Sequence, residues 1–265
     1  MECRLSNKIH PTAIVSGQAQ LGESNVVGPY VVIEDNVQIG NENSLLTGTV
    51  LKNGVKMGDA NTVHEYAVIG GAPQDVGFNS TTLSYVTIGD RNTLREYVTV
   101  HRASKAEAMT RLGDRNYLMT QVHVAHDCLL GDQVTIAPGT GLGGFVHVAD
   151  RAFISGGVMV HQFVHIGTLA MIGGNAKITQ DVLPYMLIDG VPGTARGLNL
   201  VGLRRAGFSR SDLQALKKAY QLIHRSSRPL QAILDELRGM DSPYALHLAE
   251  FIASSNRSFH RDKQH

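Results

Sequence analysis

The sequence has no tryptophan, and aromatic residues of all kinds make up only 6% of its 265 positions. This disfavours an interior built on large rings. It has two cysteines, Cys3 and Cys128, far apart in the chain, so a disulfide framework is excluded and a reducing compartment is expected. No apolar run approaches the roughly 20 residues of a membrane helix, and the opening stretch MECRLSNKIH lacks a signal-peptide core. The expectation is a cytoplasmic protein with no membrane span. Charge of one sign is also lacking: the formal net charge is +1, with 18% charged and 43% hydrophobic residues, which excludes a disordered chain.

The near-neutral total hides an asymmetry. Residues 196–265 carry 12 of the 24 basic residues and 6 of the 23 acidic ones, so that segment is +6 and the rest −5. A basic C-terminal segment attracts an acidic partner.

Glycine is plentiful, at 28 residues, and a six-residue period accounts for many of them. Stepping by six from Ile9 reaches Val15, Leu21, Val27, Ile33, Ile39, Leu45, Leu51, Met57, Val63 and Ile69. After a one-residue slip the series resumes at Ile88, Leu94 and Val100, takes a weak step at Ala106, and runs from Leu112 to Ile178. The position four after each anchor is small or polar: Ala13, Asn25, Val31, Asn43, Thr49, Asn61, Val122, Cys128. Neither the 3.6-residue helical period nor the two-residue strand period fits. The pattern describes short strands joined by sharp corners, each coil burying its apolar face against its neighbours. Glycines after many anchors, such as Gly22, Gly40 and Gly113, are expected to supply positive φ at those corners. Two interruptions, residues 71–87 and 101–111, are expected to leave the solenoid as loops, the first bearing Gln74 and Asp75.

The period stops after Val182, and a Pro/Gly-rich connection follows. Helical spacing then appears at Leu213, Leu216, Tyr220 and Ile223, with Ser209 or Ser211 as cap. Pro229 suits the first turn of a second helix, and Ser242-Pro243 starts a third. The division expected is a solenoid over 1–190 and a helical domain over 191–265.

Among the 12 histidines, those in Gln121–Cys128 stand out. Val122, Val124 and Cys128 take inward places, so His123 and His126 point outward at or near a corner. Asp127 follows His126, and a carboxylate beside an imidazole fixes its tautomer and favours its protonated form, which suits a general base. His161 comes two 18-residue coils later, on the same edge. Three imidazoles could bind zinc, but the histidine spacing differs from that of the metal-dependent carbonic anhydrases built on the same kind of repeat, and no metal is expected.

The repeat resembles that of the hexapeptide-repeat proteins, which implies a left-handed parallel β-helix with three hexads per triangular coil, an exception to the usual right-handed crossover. The segments MTQVHVAHDC, VHQF, PQD, the HR after Val100, and GLNLVGLRRAGFSR followed by helices are similar to the UDP-N-acetylglucosamine O-acyltransferase family over nearly the whole chain. That family moves a 3-hydroxyacyl chain from acyl carrier protein to the glucosamine 3-hydroxyl at the start of lipid A synthesis. The resemblance implies a homotrimer with active sites between subunits, no nucleic-acid partner, and no cofactor beyond the acyl carrier protein thioester as co-substrate. The acidic carrier protein would dock on the basic C-terminal helices.

Carried over by position, the resemblance makes His126 the general base, Asp127 its orienting partner, and the Gly144 N–H an oxyanion donor. Asp75, Gln74 and His123 would lie near the sugar. His161 and Gln162 would lie near the nucleotide–acyl region, and Asn199 and Arg205 at the nucleotide, where Arg205 suits a diphosphate. Met171 or Gly173 would end the acyl tail as a ruler. The chain departs from the family at Phe145 (usually histidine), Gly77 (lysine), Val201 (acidic) and Ala206 (arginine). N-acylation of a 3-amino UDP-sugar, acylation of another nucleotide sugar, and a catalytically dead β-helix binding protein are the alternatives.

Overall fold

A computed structural model of the chain describes residues 6–255 and 257–260. Cys3 lies outside the described residues. The strands form three sheets of 11, 9 and 8 members, visited in turn by the chain. Lys8–Ile9 opens the first sheet, Ile14–Val15 the second and Gln20–Leu21 the third. Neighbouring strands are parallel and pair 18 residues on, as in Ile9 with Val27, Val15 with Ile33 and Leu21 with Ile39. Backbone N–H groups of one coil donate to carbonyls of the next, as from Lys8 to Asn25 and from Gln20 to Val37.

The expected inward positions are buried. Leu45, Leu51, Val63, Leu94, Leu118 and Ile136 are all 0% exposed. Ile9, covered by described residues on one side only, is 47% exposed. Both insertions leave as loops without disturbing the stack: Val63 pairs with Leu94 and Val100 with Val124, 31 and 24 residues on. The loops are shorter than expected, 72–84 and 102–108, because Tyr85–Ile88 and Met109–Leu112 pair as strands of the third sheet. The second adds one whole hexad, which is why Ala106 is a weak step: it lies exposed in the loop.

Polar ladders complete the coils. The buried side chains of Asn25, Asn43, Asn61 and Asn92 each accept from the next rung's backbone N–H, 2.8–2.9 Å away. These bonds satisfy amides that would otherwise be orphaned in the core. An outer ladder at the edge runs the other way: the carboxylates of Asp59, Asp90, Asp114, Asp132 and Asp150 each accept from the backbone N–H of the preceding rung, Asn41, Asp59, Asp90, Asp114 and Asp132.

The outer ladder corrects the expectation for the glycines. A β-carbon at Gly22 would meet Asn41 Oδ1 at 2.5 Å, and Gly40 and Gly113 face Asp59 and Asp132 in the same way. These glycines therefore make room for the next coil's side chain. The positive φ falls elsewhere in the hexad, on residues such as Asn36, Tyr66, Gln121, Asp127, Phe145 and Phe163, at 56–65°.

The solenoid closes with a hairpin. Met186–Asp189 extends the first sheet, and Thr194–Leu198 pairs with it antiparallel, crossing the expected boundary at residue 190. Among the described residues four helices follow: α1 (Leu200–Arg205), α2 (Arg210–Arg225), α3 (Leu230–Gly239) and α4 (Pro243–Ser254). Ser209 caps α2 in a capping box with Asp212, Pro229 holds the N-cap position of α3, and Ser242 caps α4 with Pro243 in its first turn. Leu216, Ile223, Leu237 and Leu248 join the same hydrophobic core as the last coils. The chain then returns to the solenoid, where the buried Asp181 carboxylate accepts from the His165 N–H at 2.8 Å and from Ser255 Oγ at 2.5 Å. No helix among the described residues is long and apolar enough to cross a membrane.

Candidate active site

His126 stands at the corner between the second and third sheets, between strands His123–Val124 and Leu129–Leu130. Asp127 takes that corner's left-handed conformation, φ 60°, which a short polar side chain tolerates. Its Oδ2 lies 2.8 Å from His126 Nδ1 and also accepts from the Ser104 N–H at 2.9 Å. The Asp127 N–H donates to Thr110 Oγ1 at 2.8 Å. The second insertion loop thus anchors the carboxylate from the preceding coil. Because that oxygen accepts, the ring proton sits on Nδ1 and the Nε2 lone pair is left for chemistry.

Gly144, one coil on, closes the other side of the ring. A β-carbon there would lie 2.6 Å from His126 Cε1 and 2.8 Å from Nε2. The Gly144 carbonyl accepts from the Phe163 N–H, while its own N–H has no partner among the described residues. An imidazole with a free Nε2 therefore lies beside a glycine whose backbone N–H has no acceptor among the described residues.

His123 and His101 extend the cluster. His123 Nδ1 lies 2.7 Å from Thr99 Oγ1, and its ring meets His101 edge-on at 4.9 Å. Burial, then the neighbouring His123 and His126, pushes His101 down to about 4. Burial and His126 lower His123 as well. Both rings thus prefer to stay neutral. His161 and Gln162 lie two coils above Ala125 and His126; a β-carbon at the intervening Gly143 would meet Gln162 N at 2.8 Å.

A second site lies on the outer face of the first sheet. A cavity of about 590 Å³ is walled by Phe153, Leu169, Met171, Leu187, Leu198 and Val201, with Arg151, Asn199 and Arg205 among its polar lining. Arg205 is exposed.

The C-terminal residues 181–260 match the family described as UDP N-acetylglucosamine O-acyltransferase, domain 2. An acyl-[acyl-carrier-protein]–UDP-N-acetylglucosamine O-acyltransferase of Thermodesulfovibrio yellowstonii is 41% identical over 96% of this chain and 100% of its own. The chain belongs to the UDP-N-acetylglucosamine O-acyltransferase family. A Synechocystis relative of the same name is 44% identical over 72% of this chain and 69% of its own. The solved UDP-N-acetylglucosamine acyltransferase of Bacteroides fragilis superposes with a TM-score of 0.93 at 35% identity, covering 96% of this chain and 100% of that one. The fold is accordingly a left-handed parallel β-helix with a helical C-terminal part.

For a member of this family, the distribution of the expected site residues is informative. His123, His126, Asp127, Gly144, His161 and Gln162 gather along one edge of the solenoid. Met171, Asn199 and Arg205 line the cavity on the first sheet, the face opposite that edge in a triangular coil. Asn199 is also spent structurally: its Oδ1 caps α1 at Gly202 N, 3.0 Å, and its Nδ2 donates to the Leu169 carbonyl at 2.9 Å. Gly173 does not line this cavity, since a β-carbon there would press on the Asp189 carboxylate. Gln74 and Asp75 are exposed in the first loop, and the Asp75 carboxylate accepts from the Gly77 N–H at 2.9 Å.

His101, Thr99, Ser104 and Thr110 were missed as site residues. His101 follows the anchor Val100, which pairs with Val124, so the register sets Thr99 and not His101 opposite His123; the two imidazoles meet through their side chains, which the repeat does not display. Among the described residues, His64, Glu65 and Glu96 could together hold a metal ion. They sit at the corner between the first and second sheets, away from His126, and Arg95 already binds Glu96 at 2.8 Å.

Proposed function

We propose that the chain transfers a 3-hydroxyacyl group from an acyl carrier protein thioester to the glucosamine 3-hydroxyl of UDP-N-acetylglucosamine, with His126 as general base. The observation that carries this reading is the His126–Asp127 pair lying against Gly144, whose N–H has no partner among the described residues. Nε2 takes the hydroxyl proton as that oxygen attacks the thioester carbon. The carbonyl oxygen gains charge and is met by the Gly144 N–H. The C–S bond breaks, and the imidazolium returns its proton to the departing sulfur, leaving an ester and the free carrier thiol. No cofactor enters these steps. Base catalysis of this kind supplies about 10²–10⁴-fold in rate.

The division of residues between an edge and the opposite face supports a homotrimer. One copy would present His126 and its neighbours, and the next its Arg205 and the apolar cavity around Met171, for the nucleotide and acyl ends of the substrates. Arg204, Arg205, Arg210, Lys217, Lys218 and Arg225 are exposed on the helices and suit an acidic carrier protein. In this reading the product belongs to the start of lipid A synthesis in the cytoplasm.

The test is His126→Ala, assayed by mass spectrometry with acyl carrier proteins of several chain lengths and with UDP-N-acetylglucosamine beside its 3-amino analogue. Turnover should vanish while the oligomer and its melting temperature persist, because the side chain packs outside the core. Wild-type turnover in that variant would overturn the mechanism.

A further inference from the structure

Three contacts fix the His126 ring, and the mechanism above uses two of them. Asp127 holds Nδ1, and Gly144 lies under the Cε1–Nε2 edge. The third is Phe145, whose ring meets the imidazole at 5.3 Å with an interplanar angle of 88°. Phe145 is itself clamped. Phe163, the next corner residue in register, stacks on it at 4.8 Å and 13°. On the side of the preceding coil, Lys105 Nζ stands 5.8 Å from the ring centre. Lys105 is placed there by its neighbour Ser104, whose N–H is bound to Asp127. With one face against Phe163 and the other toward Lys105, Phe145 offers His126 its edge.

We infer that Phe145 is a positioning residue for this reaction: held by Phe163 and Lys105, it limits the tilt of the His126 ring about its side-chain torsions and keeps Nε2 in place beside Gly144. The inference rests on His126 being the base. The ring has one hydrogen bond in the described structure, and small coupled changes of its two side-chain torsions can tilt it while that bond bends. Gly144 has no side chain to oppose that tilt. Edge-to-face and stacked pairs of this kind have preferred geometries, so the aromatic column gives the imidazole one orientation. A displacement of about 1 Å at a reacting group can cost roughly 10²-fold in rate, so a stop on one side of the ring has a kinetic consequence.

The test compares F145A, F145L and F145H with wild type and with H126A, in the full-length protein. Phe145 is half-buried and Phe163 45% exposed, so these variants leave the solenoid core untouched. The F145A and F145L variants should lose about tenfold in kcat with both KM values within about twofold. The F145H variant, which restores an aromatic edge, should recover most of it. The F163A variant, whose side chain stacks on Phe145, should show a smaller loss of the same kind. The ring signals of His126 in ¹³C-histidine NMR should shift and broaden in F145A and return in F145H, with an unchanged melting temperature throughout. An unchanged kcat in F145A beside an inactive H126A would overturn the positioning role alone. So would a loss confined to KM, which would make Phe145 a substrate wall. An active H126A would instead overturn the assignment of the base.

Discussion

No side chain can stand at Gly144 while His126 keeps its place: a β-carbon there would lie 2.6 Å from Cε1 of the imidazole. Gly144 is buried and shows no positive φ, so alanine meets no backbone strain. The new methyl must push the ring aside, because the coil backbone is bonded to both neighbouring coils. The Gly144→Ala enzyme should therefore keep its oxyanion donor and its fold but lose about 10²-fold in kcat. Steady-state kinetics beside a thermal melt would show it; near-normal kcat would mean the ring has room that the structure denies.

The Asp127 carboxylate does two things that substitution can separate. Its Oδ2 accepts from both His126 and Ser104, and an asparagine oxygen can accept both in the same left-handed corner. Asp127→Asn thus removes the charge that stabilises the imidazolium and spares the geometry. Asp127→Ala removes both and adds strain at φ 60°. We expect kcat to fall by about 10-fold in the first variant and by about 10²-fold or more in the second, with His126→Ala as the floor. Equal losses in the two would show that the charge alone matters.

The repeat made the solenoid legible because its anchors, Leu45 or Ile136 for example, answer to one requirement, burial between two coils. The glycines were legible in position but not in cause. Gly22 and Gly113 follow anchors, yet what demands them is a side chain 19 residues on, which a hexad alignment does not display. Helix α1 was hidden by its length and by Gly202 within it. At the site, His126 and Asp127 are adjacent in the chain and could be read as a pair. Ser104 and Lys105 could not, because they reach Asp127 and Phe145 through the path of a loop. The Phe145–Phe163 stack was open to reading from the 18-residue register, had the corner positions been compared as the anchors were.

Cys128 packs inward, directly after Asp127, and its Sγ donates to the Gly143 carbonyl at 3.2 Å. Burial pushes its thiol up to about 12. Since the thiolate is the reactive form, the residue should resist iodoacetamide at pH 8 in the folded enzyme and react on unfolding in guanidinium. Peptide mapping distinguishes it from Cys3. Rapid modification of Cys128 in the native state would show that the coil opens beside the site.

The histidine cluster gives the fold a pH dependence whose sign follows from burial. His101 is 8% exposed, lacks a hydrogen-bond partner at Nδ1, and holds its proton only below about 4. In the unfolded chain the same ring takes a proton near 6.5. Between those values the unfolded state binds more protons, so stability rises with pH. The contribution is complete above about 6.5, is lost as the pH falls toward 4, and changes no further below that. For His101 the ceiling is about 3 kcal/mol per chain, and the lowered His123 adds in the same direction. Thr99 Oγ1 faces His123, and the neighbours that lower the rings further are imidazoles, His123 and His126 for His101 and His126 for His123. Guanidinium unfolding at pH 7.5 and at 4.5 should show a smaller loss of stability in His101→Gln than in wild type. Equal losses would place the acid sensitivity elsewhere in the solenoid.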